Sequence, residues 1–173
     1  MANIVNPNGF VPVGHLCAGL VPKARSYTMT SGAKVYRGDP IKVVTAGTVE
    51  VAAAGAAAIV IGIAAEYKYD SASTGTMSLL VYDDPFIIFE VQVKTGVTTT
   101  LANTMFKSSN VITYAAGSDV TYQSIMSLDT PATSANDWKI IGLVNRADNA
   151  WGNAARVLAI FNHHFFLNAA TGI

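Results

Sequence analysis

Charge is scarce in this chain of 173 residues: Asp, Glu, Lys and Arg together make up 13%, against roughly a quarter in ordinary globular proteins. Eleven basic and eleven acidic residues cancel, and neither sign clusters. The phosphate-neutralising patch that nucleic-acid binding needs is therefore missing. Cysteine is almost absent as well. The single Cys17 has no internal disulfide partner, which fits synthesis in a reducing compartment. There is no long apolar run either. Val51–Ala65 is the most apolar stretch and falls short of the roughly 18 residues a spanning helix requires. The opening MANIVNPNGF lacks the basic and apolar regions of a signal peptide. No heptads, P-loop, dinucleotide fingerprint or G-x-S-x-G elbow is found.

What is abundant is apolar surface, at 51% of residues. A monomer this poor in charge has difficulty covering itself with polar groups, so the composition predicts an intracellular protein that associates extensively. At this length one domain suffices. Short β-branched runs dominate, namely Ser26–Thr30, Lys34–Tyr36, Ile41–Val44, Thr48–Val51 and Ile59–Ile63, separated by Gly, Pro, Asp and Ser. They predict an all-β fold, an antiparallel sandwich or barrel with little helix. Trp138–Val144 and Arg156–Phe161 read as two further strands joined by a loop. Thr98–Phe106 offers one or two helical turns at most. Residues 1–16 carry Asn, Pro and Gly without periodicity and read as an extended N-terminal arm that docks on something. Residues 17–173 form the single β domain.

The segment VYDDPFIIFEVQV, Val81–Val93, is the most informative. Ile87, Phe89, Val91 and Val93 alternate onto one face and predict core. The opposite face begins with Phe86 and Ile88 and turns polar at Glu90 and Gln92, so it is expected to be covered early and wet later. Glu90 is placed on the exposed half, or against a neighbouring subunit. Asp83 and Asp84 resemble a catalytic pair, but neighbours on an extended chain diverge and Pro85 favours a turn.

Other chemistry is equally thin. His163 and His164 diverge for the same reason and do not have metal-ligand spacing. His15 and Cys17 share a strand face, which permits a nucleophile–base pair. Without an orienting third group, however, Cys17 reads as a small buried hydrophobe. The loop Arg146–Asn153 lacks the glutamate and spacing of an EF-hand. It reads as a turn in which Arg146 pairs with Asp148 and Trp151 closes over the sandwich or faces a partner.

Four blocks occur in order along most of the chain: NGFVPVGHL, GDPIKV, VYDDPFIIFEVQV and GLVNRADNAWGNAARVLAIFNHH. Together they resemble the head decoration, or cement, proteins found beside the major capsid proteins of tailed bacteriophages. Two departures bear on which surfaces meet neighbours: Phe86–Ile88 is more apolar, and Ala52–Ala58 more alanine-rich, than that pattern. The resemblance implies a homotrimer on three-fold and quasi-three-fold positions of the capsid exterior, made in the host cytoplasm, that binds the major capsid protein. It implies no catalysis, no cofactor, no metal, no direct nucleic-acid binding and no membrane. Phe10, Val11, His15, Phe86, Ile88 and Trp151 are the expected interface residues. Phe86 and Ile88 are expected to lie under a neighbour's surface, and deletion through Gly14 to leave a folded trimer that binds heads weakly. A receptor- or carbohydrate-binding β-domain of a phage fibre or spike is the alternative; a small hydrolase using Cys17 and His15 is a third.

Overall fold

The structure, a computed structural model, describes residues 3–52, 59–96, 109–110, 112–113, 115–129 and 137–167. Among these residues there is no helix. The strands are β1 (Val11–His15), β2 (Ala24–Thr28), β3 (Lys34–Val35), β4 (Pro40–Val43), β5 (Val49–Val51), β6 (Val60–Ala64) and β7 (Lys68–Tyr69). They continue with β8 (Ser78–Tyr82), β9 (Ile87–Gln92), β10 (Ser109–Asn110), β11 (Ile112–Thr113), β12 (Ser127–Leu128), β13 (Trp138–Leu143) and β14 (Arg156–Phe161). The possible helical turns at Thr98–Phe106 lie outside the described residues.

Two five-stranded antiparallel sheets pack as a sandwich. The first has the order β1-β9-β14-β13-β10 and the second β2-β8-β6-β4-β5. Alternation explains the core between them: Ile87, Phe89, Val91 and Val93 from β9 and its continuation are all buried, as the period-2 pattern predicts. They meet Val157 and Ala159 of β14, Ile140 of β13, and Val60 and Ile63 of β6. The second sheet is apolar on its outer face too, where Ile41, Ile61, Leu79 and Val81 are covered by Met29 and by Val35 of the β3–β7 ribbon. Strand β6, buried along its length on both faces, therefore reads as a continuous apolar run rather than an alternating one. Gly62 sits in its middle because a Cβ there would collide with the carbonyl oxygen of Tyr82 on β8.

The other face of β9 reverses the expected order. Phe86 is 43% exposed and Ile88 half-buried, whereas Glu90 and Gln92 are buried. The cover comes from this subunit's own N-terminal segment. Gln92 Nε2 donates to Ile4 O at 2.8 Å and to Ala154 O at 2.9 Å, while its Oε1 accepts the Asn6 N–H at 3.0 Å. Glu90 accepts from Arg146 at 2.9 Å and Arg156 at 3.3 Å. Arg146 thus pairs with Glu90, where Asp148 was expected.

Within the segment read as an arm, residues 3–10 have no regular secondary structure, but Val11–His15 is paired with β9 in the first sheet. Phe10 is 1% exposed and fills the core. Deletion through Gly14 would remove Phe10 and most of β1. The expectation that such a truncation stays folded gives way to one of destabilisation, because it opens a cavity and strips an edge from the sheet.

Candidate interaction surface

The turn Asp83–Phe86 carries the chain from β8 in the second sheet to β9 in the first. Its two carboxylates part, as neighbours on extended backbone must. Asp83 turns inward, 2% exposed, and accepts from the Tyr27 hydroxyl at 2.5 Å, with Arg25 Nε at 3.4 Å. Burial, and then the Asp83 carboxylate, push the Tyr27 phenol up to about 12. Asp84 turns outward. Its Oδ1 accepts the Phe86 N–H at 2.9 Å, and its Oδ2 lies 3.1 Å from His15 Nε2. Burial works against the Asp84 anion, but the Phe86 N–H and His15 outweigh it and hold the carboxyl below its usual range. The pair is a structural turn, one carboxylate holding β2 and the other β1.

His15 Nδ1 accepts the backbone N–H of Cys17 at 2.9 Å. That fixes the remaining ring proton on Nε2, facing Asp84, so both nitrogens are engaged and neither is free to activate the Cys17 thiol. Cys17 itself is exposed, not the buried hydrophobe expected. His163 and His164 diverge: His163 Nδ1 lies 3.8 Å from Asp137 Oδ1, while His164 is buried against Phe161. Burial lowers the His164 pKa and keeps the ring neutral. Among the described residues no three His, Cys, Asp or Glu side chains could hold a metal ion together.

The six expected interface residues separate. Phe10 is core, stacked on Trp138 with ring centroids 4.1 Å apart, and is not available to a partner. Val11 is half-buried opposite Glu90 in the ladder. The His15 side chain is 3% exposed, edge-on to the Phe86 ring at 6.3 Å. Ile88 packs partly beside Gly14 of its own β1, and Trp151 packs partly against the first core. Only Phe86 of the six presents a substantial face to solvent.

The more exposed apolar residues around it were not singled out by sequence: Val13, Leu16, Leu20 and Val21, the last 74% exposed. Topology brings them together. Among the described residues, strand β1 is the outermost strand of one sheet and β2 that of the other. The Asp83–Phe86 turn joins their neighbours β9 and β8, so both edges lie on the same flank of the sandwich. The segment between β1 and β2 runs across that flank and displays Leu16, Leu20 and Val21, with Leu16 N–H bonded to Phe86 O at 2.9 Å. Pro12, with no N–H, interrupts the donors of β1, as is common on edge strands. The flank offers apolar side chains more than a template for strand addition. Comparison of the chain with family models, curated proteins and solved structures returned no match.

Proposed function

We propose that this chain is a non-enzymatic virion structural subunit, a head decoration protein of a tailed bacteriophage. It forms homotrimers that bind the major capsid protein lattice at three-fold and quasi-three-fold positions and stabilise the shell against packaged DNA. The reading rests on the ordered sequence blocks and on one structural observation: the β1–β2 flank leaves Val13, Leu16, Leu20, Val21 and Phe86 open to solvent in a chain with little charge. Exposed apolar side chains gathered on one flank of a domain are a mark of an association surface. A subunit that binds only the assembled shell stabilises it by mass action and requires neither cofactor nor catalytic group. The occupied ring nitrogens of His15 are consistent with that role and weigh against the hydrolase alternative.

The test is to mix purified protein with undecorated heads and weigh the bound copies per shell. Three copies per local three-fold position is the expected result; absence of binding overturns the reading.

A further inference from the structure

Beside the β3–β7 ribbon four tyrosines drawn from three separate stretches of the chain form one aromatic strip. Tyr36 and Tyr67 have ring centroids 5.4 Å apart, and Tyr67 and Tyr122 4.7 Å. Lys34 Nζ bridges to the fourth, 5.3 Å from the Tyr36 ring and 5.4 Å from the Tyr69 ring. The two ends of the strip are open: Tyr122 is 52% and Tyr69 46% exposed. Tyr122 has a left-handed backbone, φ 55°, rare for an aromatic residue. The turn that holds it is tied by Tyr122 N–H to Ser118 O at 2.7 Å, and by Arg37 N–H to Tyr122 O at 3.3 Å. The ring is therefore presented ready-placed.

A cavity of about 390 Å³ opens beside the strip, lined by Lys34, Tyr36, Asp39, Asp119 and Met126 among others. Asp119 Oδ1 accepts from the Tyr36 hydroxyl at 2.6 Å and pairs with Lys34. Asp39 is 1% exposed; its Oδ2 accepts the Tyr36 N–H at 2.9 Å, its Oδ1 has no close hydrogen-bond partner, and the Ser124 hydroxyl also steadies the carboxylate from within the chain. A buried carboxylate so sparsely bonded beside a cavity has room for a further donor from outside the chain.

The geometry points to a neutral glycan-binding site, with pyranose rings stacked on Tyr122 and Tyr69 and sugar hydroxyls meeting Lys34, Asp119 and Asp39. Two features select this ligand class. A phosphate-bearing ligand would meet two carboxylates and only a neutralised lysine. A proline-rich segment would use the rings and leave the paired donors and acceptors idle, whereas a sugar offers an apolar face together with hydroxyls that both donate and accept. Binding would be a property of the isolated subunit, independent of whether the chain decorates a capsid.

The experiment is saturation-transfer NMR on the purified full chain with maltohexaose, cellohexaose and mannohexaose, with a decaproline peptide alongside. Transfer to at least one hexasaccharide is expected. Two variants test the rings: Tyr122→Asn, since asparagine accepts the left-handed backbone, and Tyr69→Ala. Each should weaken binding about tenfold, the scale of one lost aromatic contact. Lys139→Ala, exposed on β13, should bind as the parent does. No transfer to any of the three sugars, undiminished binding by both tyrosine variants, or transfer to decaproline alone would each overturn the assignment. Head binding, measured separately, is affected by none of these outcomes.

Discussion

Phe10 lies on Trp138 with their planes 25° apart, and this stack pins the beginning of the chain into the core of the first sheet. Phe89 meets both rings edge-on, at 6.4 and 5.8 Å. The N-terminal segment is thus anchored by its aromatic residue and then by β1, rather than lying free of the domain.

Phe10→Ala should accordingly cost about 3–5 kcal/mol, the usual scale for truncating a buried phenylalanine. Urea unfolding measures it. Deletion of residues 1–5 should cost much less, because among the described residues it removes mainly exposed hydrogen bonds of Asn3 and one bond to Gln92. If deletion through Gly14 leaves the unfolding midpoint unmoved, the anchoring role of this segment is disproved.

Glu90 is held between Arg146 and Arg156 with its side chain 8% exposed. Glu90→Ala leaves Arg156, itself mostly buried, without its carboxylate, and should destabilise by about 2–4 kcal/mol. Glu90→Gln keeps an acceptor and should lose less. Equal midpoints for all three proteins in guanidinium would contradict the ion-paired geometry.

Asp39 sets a pH dependence of a particular sign. Burial pushes its carboxyl from the ordinary 3.8 up to about 6, so the folded state holds a proton that the unfolded state releases. Stability from this group is fully present below the unfolded value and is lost as pH rises through the folded one. At about 1.4 kcal/mol per unit the whole loss is about 3 kcal/mol, of which about 2 kcal/mol falls between pH 4 and 6. Asp39→Asn retains an acceptor for the Tyr36 N–H and removes the titration. Its stability relative to the parent should rise across that window, read by thermal unfolding at half-unit steps. Parallel pH profiles for the two proteins would refute the assignment.

Replacing Leu16 and Val21 together with glutamate tests the β1–β2 flank. Both side chains are at least half exposed, so stability should change by less than about 1 kcal/mol. Head binding should fall at least tenfold as charge enters the interface. Unchanged decoration by a folded double variant would remove this flank from the proposed contact.

Period-2 alternation and β-branched runs make the strands legible in the sequence. Arg156–Phe161 is observed with the predicted bounds, and the apolar positions Ile87, Phe89 and Val91 are core as expected. Divergence of Asp83 from Asp84, and of His163 from His164, follows equally from local geometry. Alternation says which residues share a face, but not what lies over it. Only the tertiary structure decided that the polar half of β9 is buried, because its cover comes from Asn3–Asn8 and the β13–β14 loop, far away in sequence. The tyrosine strip has the same origin: Tyr36, Tyr67, Tyr69 and Tyr122 look scattered until the ribbon and the Ser118–Gln123 turn bring them together. The sequence by itself determined the strands and their inward residues, since these depend on backbone pleat and hydrophobic burial between near neighbours. Sheet order decided the open flank and the aromatic strip, since both depend on contacts between distant segments that no local pattern encodes.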